Sequence, residues 1–255
     1  MDDIYSGLAG RMDTRLIGCE INYYPALYST MDVAREKGLS GDKEGLVIVA
    51  GQQTGGRGRQ GRTWFSPEGS LALSILCYPE KSWLSELVMC GSLSILDTIE
   101  QYGVKEAGIK WPNDVLIGGR KVAGVLIESR VLADTVIFAV IGMGININSN
   151  MTGFREMLIA PASLAVEVGR AIDAQGFFHH LMENTDRLYC GLKSGNSLLD
   201  QWKSRLVTLG REVSIMHGPS FLRGLARDVT PEGSLLLETE SGEEVIISAG
   251  DVTLE

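Results

Sequence analysis

The chain has 255 residues, 44% hydrophobic and 22% charged, a balance typical of a globular protein rather than a disordered or fibrous one. Its 23 basic and 32 acidic residues give a net charge of −9, which argues against a protein that coats nucleic acid or an anionic membrane. Glycine is in excess, since 31 residues are about 12% of the chain against a usual share of about 7%. Without a collagen-like period, these glycines are expected in loops and where the backbone approaches a ligand closely.

Cysteine and histidine usage argues against thiol redox chemistry and zinc chemistry. The four cysteines form no C-x-x-C pair, which is typical of reduced thiols in a cytoplasm, and the three histidines have no metal-ligand spacing to them. The first five residues lack the basic and apolar segments of a secretory signal, and the longest apolar run, 136–147, is too short to span a bilayer. We therefore predict a cytoplasmic protein with no membrane span and no metal held by protein side chains.

The first half of the chain alternates between helix and strand patterns. A helix is predicted after Ser29 and Thr30, which are candidates for its N-cap, and it should end at Gly38. Continuous apolar runs predict buried strands, and apolar residues at helical spacing predict a long helix that stops before Gly103. In chain order these elements are a helix at 31–37, strands at 46–50 and 70–78, and a helix at 84–102.

In the second half, Gly118-Gly119 is a tight-turn signal between two strands and predicts a hairpin. Near residue 208 the pattern changes to short strand-like runs divided by turn residues such as Pro231-Glu232-Gly233. This predicts an α+β domain over 1–207 and a small β-barrel over 208–255. The predicted segments are strands at 114–117, 121–127 and 135–147, helices at 164–170, 177–193 and 198–206, and strands at 212–216, 221–229, 234–240 and 244–247.

The stretch from Gly55 to Trp64, GGRGRQGRTW, is the most informative in the chain. It matches G-x-G-x-x-G and, with Arg62 in place of lysine, a phosphate loop, but Pro67 disfavours the helix that either motif needs. Both matches are therefore interpreted as accidental. Three arginines on a glycine-rich backbone suit phosphate or carboxylate oxygens, and the alternatives are a solvated surface loop or an RNA-contacting segment.

A second informative segment, KWPND at 110–114, precedes Lys121. A lysine at the start of a strand is usually a solvated charge, but small residues up to Gly124 would let a ligand lie against this strand. Asn113 and Asp114 could equally form a turn. The segment therefore predicts either a turn followed by a strand or one wall of a ligand site.

The third segment, Gly142 to Asn148, is an apolar strand that ends in amides, and Asn146 either caps a turn or offers its amide to a heterocycle edge. With these three segments in this order and spacing, the chain resembles a biotin–protein ligase over roughly residues 20–150, and more loosely in its tail. The resemblance rests on Ser29-Thr30 before a helix, Gln53 to Trp64, Lys110 to Asp114, Arg120 to Glu128 and Gly142 to Asn148, and in the tail on Leu209-Gly210, Gly224 to Ala226 and Gly233 to Leu237.

The resemblance implies a class II synthetase-like catalytic domain, a mixed sheet flanked by helices, with a small SH3-like C-terminal β-barrel. It implies a ligase that makes biotinyl-5′-AMP and pyrophosphate from biotin and ATP, then transfers biotin to a lysine of a biotin carboxyl carrier protein. Joining a carboxylate to a polyphosphate brings anions together, so cations and positioning matter more than a general base. Mg²⁺ would enter with ATP, held mainly through phosphate oxygens and water.

The same resemblance implies roles for residues. Lys121 would bridge the biotin carboxyl and α-phosphate oxygens as a catalytic residue. Arg57, also catalytic, would hold the biotin tail and the adenylate linkage together with Gly58, and Asp114 would sit near the phosphates or help the incoming lysine. The further implied contacts are Ser29, Thr30, Gln53, Arg59 and Gly124 for biotin, and Arg59, Arg62, Trp64 and Asn146 for ATP, with Lys121 in both sets.

Two departures from the family pattern qualify these expectations. The family usually has asparagine after Ser-Thr, where this chain has Met31, so one polar contact to biotin is expected to be weaker. The DNA-binding domain of bifunctional ligase–repressors has no counterpart, so neither repression nor a nucleic-acid partner is predicted, while a monomer and a homodimer both stay open. The alternatives are a lipoate ligase, a nucleic-acid-binding module using 57–62, and an adenylate-binding regulator without transferase activity.

Overall fold

A computed structural model of the chain describes residues 6–151, 159–217 and 220–254, so the prediction for the first five residues and the His217 side chain lie outside it. These described residues form five α-helices and two sheets, and no helix among them is long and apolar enough to cross a membrane. The helices are α1 (Thr30–Ser40), α2 (Glu86–Gln101), α3 (Leu164–Val168), α4 (Ala174–Lys193) and α5 (Leu199–Ser204). The strands are β1 (Glu20–Leu27), β2 (Leu46–Gln53), β3 (Ser70–Cys77), β4 (Ala107–Lys110), β5 (Asp114–Ile117), β6 (Arg120–Leu132), β7 (Thr135–Asn146), β8 (Glu212–His217), β9 (Ser220–Val229), β10 (Leu235–Thr239), β11 (Glu244–Ile247) and β12 (Asp251–Leu254).

The large sheet has seven strands in the order β1-β2-β3-β7-β6-β5-β4. Strands β1 and β2 are parallel, and every other neighbouring pair is antiparallel. Parallel neighbours need a crossover connection, and α1 provides it on one face of the sheet. Helices α2 and α4 cover the other face, which confirms the predicted mixed sheet flanked by helices.

Alternate side chains of β2 divide the core between the two faces. Val47 and Val49 join the large hydrophobic cluster under α2 and α4, whereas Leu46 and Ile48 pack under α1. A strand buried on both faces is apolar at consecutive positions, which explains the unbroken run in this part of the sequence. Helix α2 is likewise buried almost all round because it lies between the sheet and α4.

Two glycine predictions have opposite outcomes. Gly118 and Gly119 have φ angles of 54° and 76° in the turn between β5 and β6, which confirms the predicted hairpin. The prediction that Gly38 ends α1 is wrong, because the helix continues to Ser40 and is capped by Gly41 with φ 76°. Gly38 is buried inside the helix, where a Cβ atom would lie 2.7 Å from the ring of Phe138. It is needed for close packing of α1 on β7.

The C-terminal residues form a five-stranded antiparallel sheet in the order β11-β10-β9-β8-β12, of which β12 was not predicted. Its apolar side chains belong to the same hydrophobic cluster as the large sheet. Trp111, in the turn between β4 and β5, joins the two sheets. Its Nε1 donates a hydrogen bond to the carbonyl of Gly233 at 2.8 Å, and its backbone N–H donates to Oγ1 of Thr208 at 2.9 Å. The small sheet is thus packed against the end of the cleft described below.

Candidate active site

A cleft of about 420 Å³ lies on the face of the large sheet that α1 covers. Its floor is made of glycines, since Gly124 on β6 faces Gly144 on β7, and Gly142 follows on the same face of β7. The indole of Trp64 lies on this floor, because a Cβ atom at Gly144 would be 2.3 Å from Trp64 Cε2 and one at Gly124 would be 3.3 Å from Cζ3. In this structure the Trp64 indole packs against Gly124, so the expected close approach of a ligand to this glycine stays a prediction.

Replacing Gly144 with alanine is expected to displace the rigid indole and destabilise the protein by about 1–3 kcal/mol, as overpacking of a filled site usually does. Thermal unfolding measures this. The matched control is Gly191→Ala in α4, where no atom lies closer than 3.8 Å to the added Cβ and alanine favours the helix by up to about 1 kcal/mol. Equal stability changes in the two variants would contradict the packing of Trp64 on the floor.

The glycine–arginine loop folds as a short hairpin over the cleft. The N–H of Trp64 donates to the carbonyl of Gly56 at 2.9 Å, and the N–H of Gly58 donates to the carbonyl of Arg62 at 2.7 Å. A single 3₁₀ turn, Arg59–Gly61, forms the tip, so the helix required by either nucleotide motif is absent from this described loop. All three arginines of the loop, at 57, 59 and 62, line the cleft.

Ser29, Thr30 and Gln53 meet at the other end of the cleft because β1 and β2 are parallel and end at the same edge. The side-chain carbonyl of Gln53 accepts hydrogen bonds from the N–H of Thr30 at 2.9 Å and from its hydroxyl at 3.1 Å, which leaves the Gln53 NH₂ group for other partners. Ser29 occupies the N-cap position of α1, but its hydroxyl makes no cap hydrogen bond. That hydroxyl is fully buried and has no partner.

Met31 follows these polar residues and is 4% exposed. It packs in the cluster under α1 and lines the cleft, and a Cβ atom at Gly142 would lie 2.4 Å from its sulfur. A thioether offers no N–H donor and only a weak acceptor. The wall of the cleft next to Ser29 and Gln53 is therefore apolar at the position where the sequence departs from the family pattern.

Arg57 is held by two carboxylates. Its guanidinium donates two parallel hydrogen bonds to Asp32, at 2.8 and 2.9 Å, and lies 3.5 Å from Glu128. The hydrogen bonds from Arg57 lower the pKa of Asp32, and Asp32 raises the pKa of Arg57. Since the Asp32 pKa is depressed, the pair stabilises the fold above about pH 4, and that contribution is lost as the pH falls through the lowered pKa.

Lys121 lies over the glycine floor between a carboxylate and an aromatic ring. Its Nζ is 2.6 Å from Asp114 Oδ1 and 5.3 Å from the centre of the Trp64 ring. The two charged side chains are only 21% and 14% exposed, so their attraction is less screened by water than that of a surface pair. This places an ammonium group beside the part of the floor that has no side chains.

Arg59 and Arg62 connect the loop to the C-terminal sheet. Arg59 donates to Asn113 Oδ1 at 3.2 Å and reaches the carbonyl of Gly250 at 3.5 Å, and its pKa is lowered by burial. Arg62 forms an ion pair with Asp251, the first residue of β12. The small sheet therefore contributes to the cationic end of the cleft.

Asn146 is the one predicted site residue that does not line the described cleft. It lies on β7 two residues beyond Gly144, where its NH₂ group donates to the carbonyl of Ala162 at 3.1 Å. Its Oδ1 is buried without a partner. The predicted contact to adenine therefore stays a prediction. Elsewhere in the described chain, no group of three or more His, Cys, Asp or Glu could hold a metal ion.

Comparison with known proteins identifies the family. The profile of the Biotin/lipoate A/B protein ligase family matches residues 23–146, and that of the Biotin protein ligase C terminal domain matches 208–254. The bifunctional ligase/repressor BirA of Bacillus subtilis (strain 168) is 32% identical, with 93% of this chain and 75% of that protein covered. This chain belongs to the biotin protein ligase family. The biotin–[acetyl-CoA-carboxylase] ligase of Mycobacterium tuberculosis is 30% identical, with 87% of this chain and 83% of that protein covered.

Solved structures of the biotin protein ligase of Aquifex aeolicus are also similar to this chain. A mutant of that enzyme in complex with biotin matches with a TM-score of 0.78 at 26% identity, and the enzyme in complex with biotin and ATP matches at 0.76 and 27%. Both comparisons cover 92% of this chain and 98% of the other. The protein is therefore an ATP-dependent biotin protein ligase.

Four further residues of this biotin protein ligase contribute to the cleft but were not assigned a role from the sequence. Asp32 pairs with Arg57, Asn113 accepts from Arg59, Asp251 pairs with Arg62, and Lys110 lines the cleft. Asn113 and Lys110 lie inside a segment already singled out, so that segment was the available signal. Asp32 and Asp251 had none, because only folding brings them to the arginines.

Proposed function

We propose that this cleft is where the biotin protein ligase joins biotin to ATP, giving biotinyl-5′-AMP and pyrophosphate, before biotin passes to a lysine of a carrier protein. The observation that carries the proposal is the polarity of the cleft. One end has neutral hydrogen-bonding groups, including the unpartnered Ser29 hydroxyl, and the other end has Lys121, Arg59 and Arg62. A glycine floor joins the two ends, as a substrate with a neutral ring and an anionic tail requires.

At the neutral end, the ureido ring of biotin is proposed to bind Ser29, Thr30 and Gln53. The Gln53 carbonyl is already held by Thr30, so the free NH₂ group can donate to the ureido oxygen. The Ser29 hydroxyl can form a further hydrogen bond to the ureido group. A buried hydroxyl gains most from such a bond because water does not reach it to provide one. Ring recognition would therefore use groups that the fold leaves unsatisfied.

In the first half-reaction, a biotin carboxylate oxygen attacks the α-phosphorus and pyrophosphate leaves. Two anions must approach each other, and we assign Lys121 to neutralise them, since its ammonium lies over the glycine floor beside Gly124. Arg57, with Gly58, is assigned to the biotin tail and the adenylate linkage. It would exchange at least part of its bidentate contact with Asp32 for the ligand.

In the second half-reaction, the amine of an acceptor lysine attacks the acyl carbon and AMP leaves. Asp114 is assigned a supporting role, because its carboxylate fixes Lys121 at 2.6 Å and lies at the cleft where the incoming amine must lose a proton. We assign Arg59 and Arg62 to the phosphates, and Trp64 and Asn146 to adenine. The indole N–H of Trp64 and Oδ1 of Asn146 are both buried without partners, which suits the edge of a heterocycle.

Mg²⁺ is proposed to enter with ATP on phosphate oxygens and water rather than on a protein site. The cleft residues support this, because Asp114 and Asp251 are each paired with a cation and do not form a ligand cluster with other acidic side chains in the described chain. Bound there, the ion would supply neutralisation of phosphate charge. The protein residues would provide orientation.

The acceptor is proposed to be the biotin carboxyl carrier protein of acetyl-CoA carboxylase, as the name of the Mycobacterium tuberculosis relative suggests. We also propose a catalytic unit at 1–207 and a C-terminal unit at 208–255, which agrees with the range of the C-terminal family profile. Action in the cytoplasm, without a nucleic-acid partner, stays a prediction, and both a monomer and a homodimer remain compatible with it.

Biotin-dependent exchange of pyrophosphate into ATP tests the proposal directly. We expect exchange with biotin and a rate at least about 100-fold lower with lipoate, because leaving buried hydrogen-bonding groups unpaired is costly. Transfer is then measured as biotin incorporated into a carrier domain. Exchange that is faster with lipoate would replace the proposal by the lipoate ligase alternative, and biotin binding without exchange would favour a regulator.

Met31 is expected to limit the affinity for biotin. Met31→Asn should lower the KM for biotin about fivefold by adding one hydrogen bond worth about 1 kcal/mol, while destabilising the ligand-free protein by about 1–3 kcal/mol through a buried amide. Steady-state kinetics and thermal unfolding measure the two effects. Met31→Leu is the matched control and should change neither by much. A KM for biotin that falls equally in both variants would show that shape rather than polarity matters there.

A further inference from the structure

Lys110 is a buried cation that none of the steps above uses. It ends β4, lines the cleft and is only 5% exposed. Among the described residues, no carboxylate oxygen lies within 4.0 Å of its ammonium group, and Asp114, directly opposite in the β4–β5 register, is paired with Lys121. Burial lowers its pKa. Asp114 and Asp251 oppose this lowering from a distance, but no carboxylate in the described part of the chain is in contact with the ammonium group. A mostly buried cation that faces the cleft without such a contact suits an anionic ligand.

The arrangement of charges indicates what kind of anion fits. Lys110, Lys121, Arg59 and Arg62 line one end of the cleft, and the carboxylates among them, Asp114 and Asp251, each pair with one cation already. The surplus is therefore more than one positive charge. Biotin brings a single carboxylate, which Lys121 is placed to meet, so a polyphosphate fits this surplus better.

The register of the sheet separates the two lysines. Gly124 faces Asp114, and Asp114 faces Lys110, so Lys110 starts two strands away from the glycine floor. Two strand spacings are about 10 Å. Lys121 instead reaches back over Gly124 itself. Lys121 thus lies over the glycine floor, whereas Lys110 lies away from the floor, toward the β4 edge of the sheet.

We propose that Lys110 binds the β- and γ-phosphates of ATP and stabilises the leaving pyrophosphate, an inference that rests on the function proposed above. In that step the carboxylate oxygen of biotin forms a bond to the α-phosphorus, and the bond from that phosphorus to the bridging oxygen of the β-phosphate breaks. The electron pair of the broken bond stays on the bridging oxygen. Lys110 meets the charge that develops there, while Lys121 stays with the carboxyl and α-phosphate oxygens.

Comparing the two half-reactions tests the proposal, because biotinyl-5′-AMP has no β- or γ-phosphate. In the full-length protein, Lys110→Met should lower biotin-dependent ATP–pyrophosphate exchange at least about 100-fold. It should change transfer from synthetic biotinyl-5′-AMP to a carrier domain by less than about threefold. Lys105→Met is the matched control, an exposed lysine just before β4. Equal losses in both half-reactions of the Lys110 variant would overturn the proposal.

Thermal unfolding gives an independent readout. Without ligand, Lys110→Met should unfold at a higher temperature than the wild type, since a buried unpaired charge is removed, and a lower temperature would indicate a structural lysine instead. Inorganic pyrophosphate should raise the midpoint of the wild type and not that of the variant, and an equal shift in both would contradict the proposal. Lys110→Gln undergoes the same measurements if the methionine variant does not fold. If the wild type shows no exchange, the proposed function fails, whereas the pyrophosphate shift still decides the role of Lys110.

Discussion

Lys121→Ala is expected to lower the rate of biotinyl-5′-AMP formation about 10³-fold, the largest effect of any single substitution in the cleft. The ammonium group lies over the glycine floor, where the carboxylate and the α-phosphate have to meet. Its removal also leaves Asp114, 14% exposed, as an unpaired carboxylate facing two anionic substrates. Biotin-dependent ATP–pyrophosphate exchange measures the loss, and circular dichroism checks that the fold is intact.

The double variant Lys121→Ala with Asp114→Asn separates the two causes. Because it removes the unpaired carboxylate, the double variant should unfold at a higher temperature than Lys121→Ala, while its exchange rate stays low. Lys105→Ala, which removes an exposed lysine, should leave exchange unchanged. Wild-type exchange in the single variant would remove the role assigned to Lys121, and recovery of exchange in the double variant would show that Asp114 repulsion alone caused the loss.

Arg57→Gly is expected to raise the dissociation rate of biotinyl-5′-AMP about 10- to 100-fold. A hydrogen bond to a charged group is worth about 1.5–3 kcal/mol, and about 1.4 kcal/mol corresponds to a factor of ten. Arg57 lines the cleft and is already oriented by two parallel hydrogen bonds from its guanidinium to Asp32. Release of the intermediate after dilution measures the rate.

Asp32→Asn is the matched control, because it removes the nearer of the two carboxylates that hold the same guanidinium and leaves Glu128 in place. The adenylate should then dissociate no faster than from the wild type, since Arg57 no longer has to leave the Asp32 carboxylate to reach it. An unchanged rate in Arg57→Gly would show that the arginine does not hold the adenylate. A faster rate in Asp32→Asn would show that Asp32 positions Arg57 for the ligand instead of competing for it.

The C-terminal sheet takes part in the cleft through two contacts with the loop. Arg59 reaches the carbonyl of Gly250, and Arg62 pairs with Asp251. Since Arg62 is assigned to the phosphates, Asp251 must share or release it when ATP binds. The small sheet therefore holds the loop at the cleft through a hydrogen bond to Arg59 and an ion pair with Arg62.

Most secondary structure was predictable where the pattern was strong. The apolar run that became β2, the helical spacing of α2 and the Gly118-Gly119 turn all formed as expected. Strand β4 was missed because its four residues, AGIK, include a glycine and only one large apolar side chain, and β1 because its mixed polarity shows no clear alternation. The sequence pattern also placed the end of α1 at Gly38, where packing against Phe138 rather than a cap requires glycine.

The sequence by itself determined the chemistry of this protein, since residue types at short spacing carry it. The glycine–arginine loop, the 110–114 segment and Lys121 carried the resemblance to the biotin ligases, and the family comparison agrees. The tertiary structure decided which charged and polar side chains of the cleft are paired within the protein and which can bind a ligand. Asp32 and Asp251 hold two arginines, whereas the buried Ser29 hydroxyl has no hydrogen-bond partner and the mostly buried Lys110 has no carboxylate within 4.0 Å among the described residues. Such pairings depend on strand register and on packing between distant segments, which local sequence does not encode.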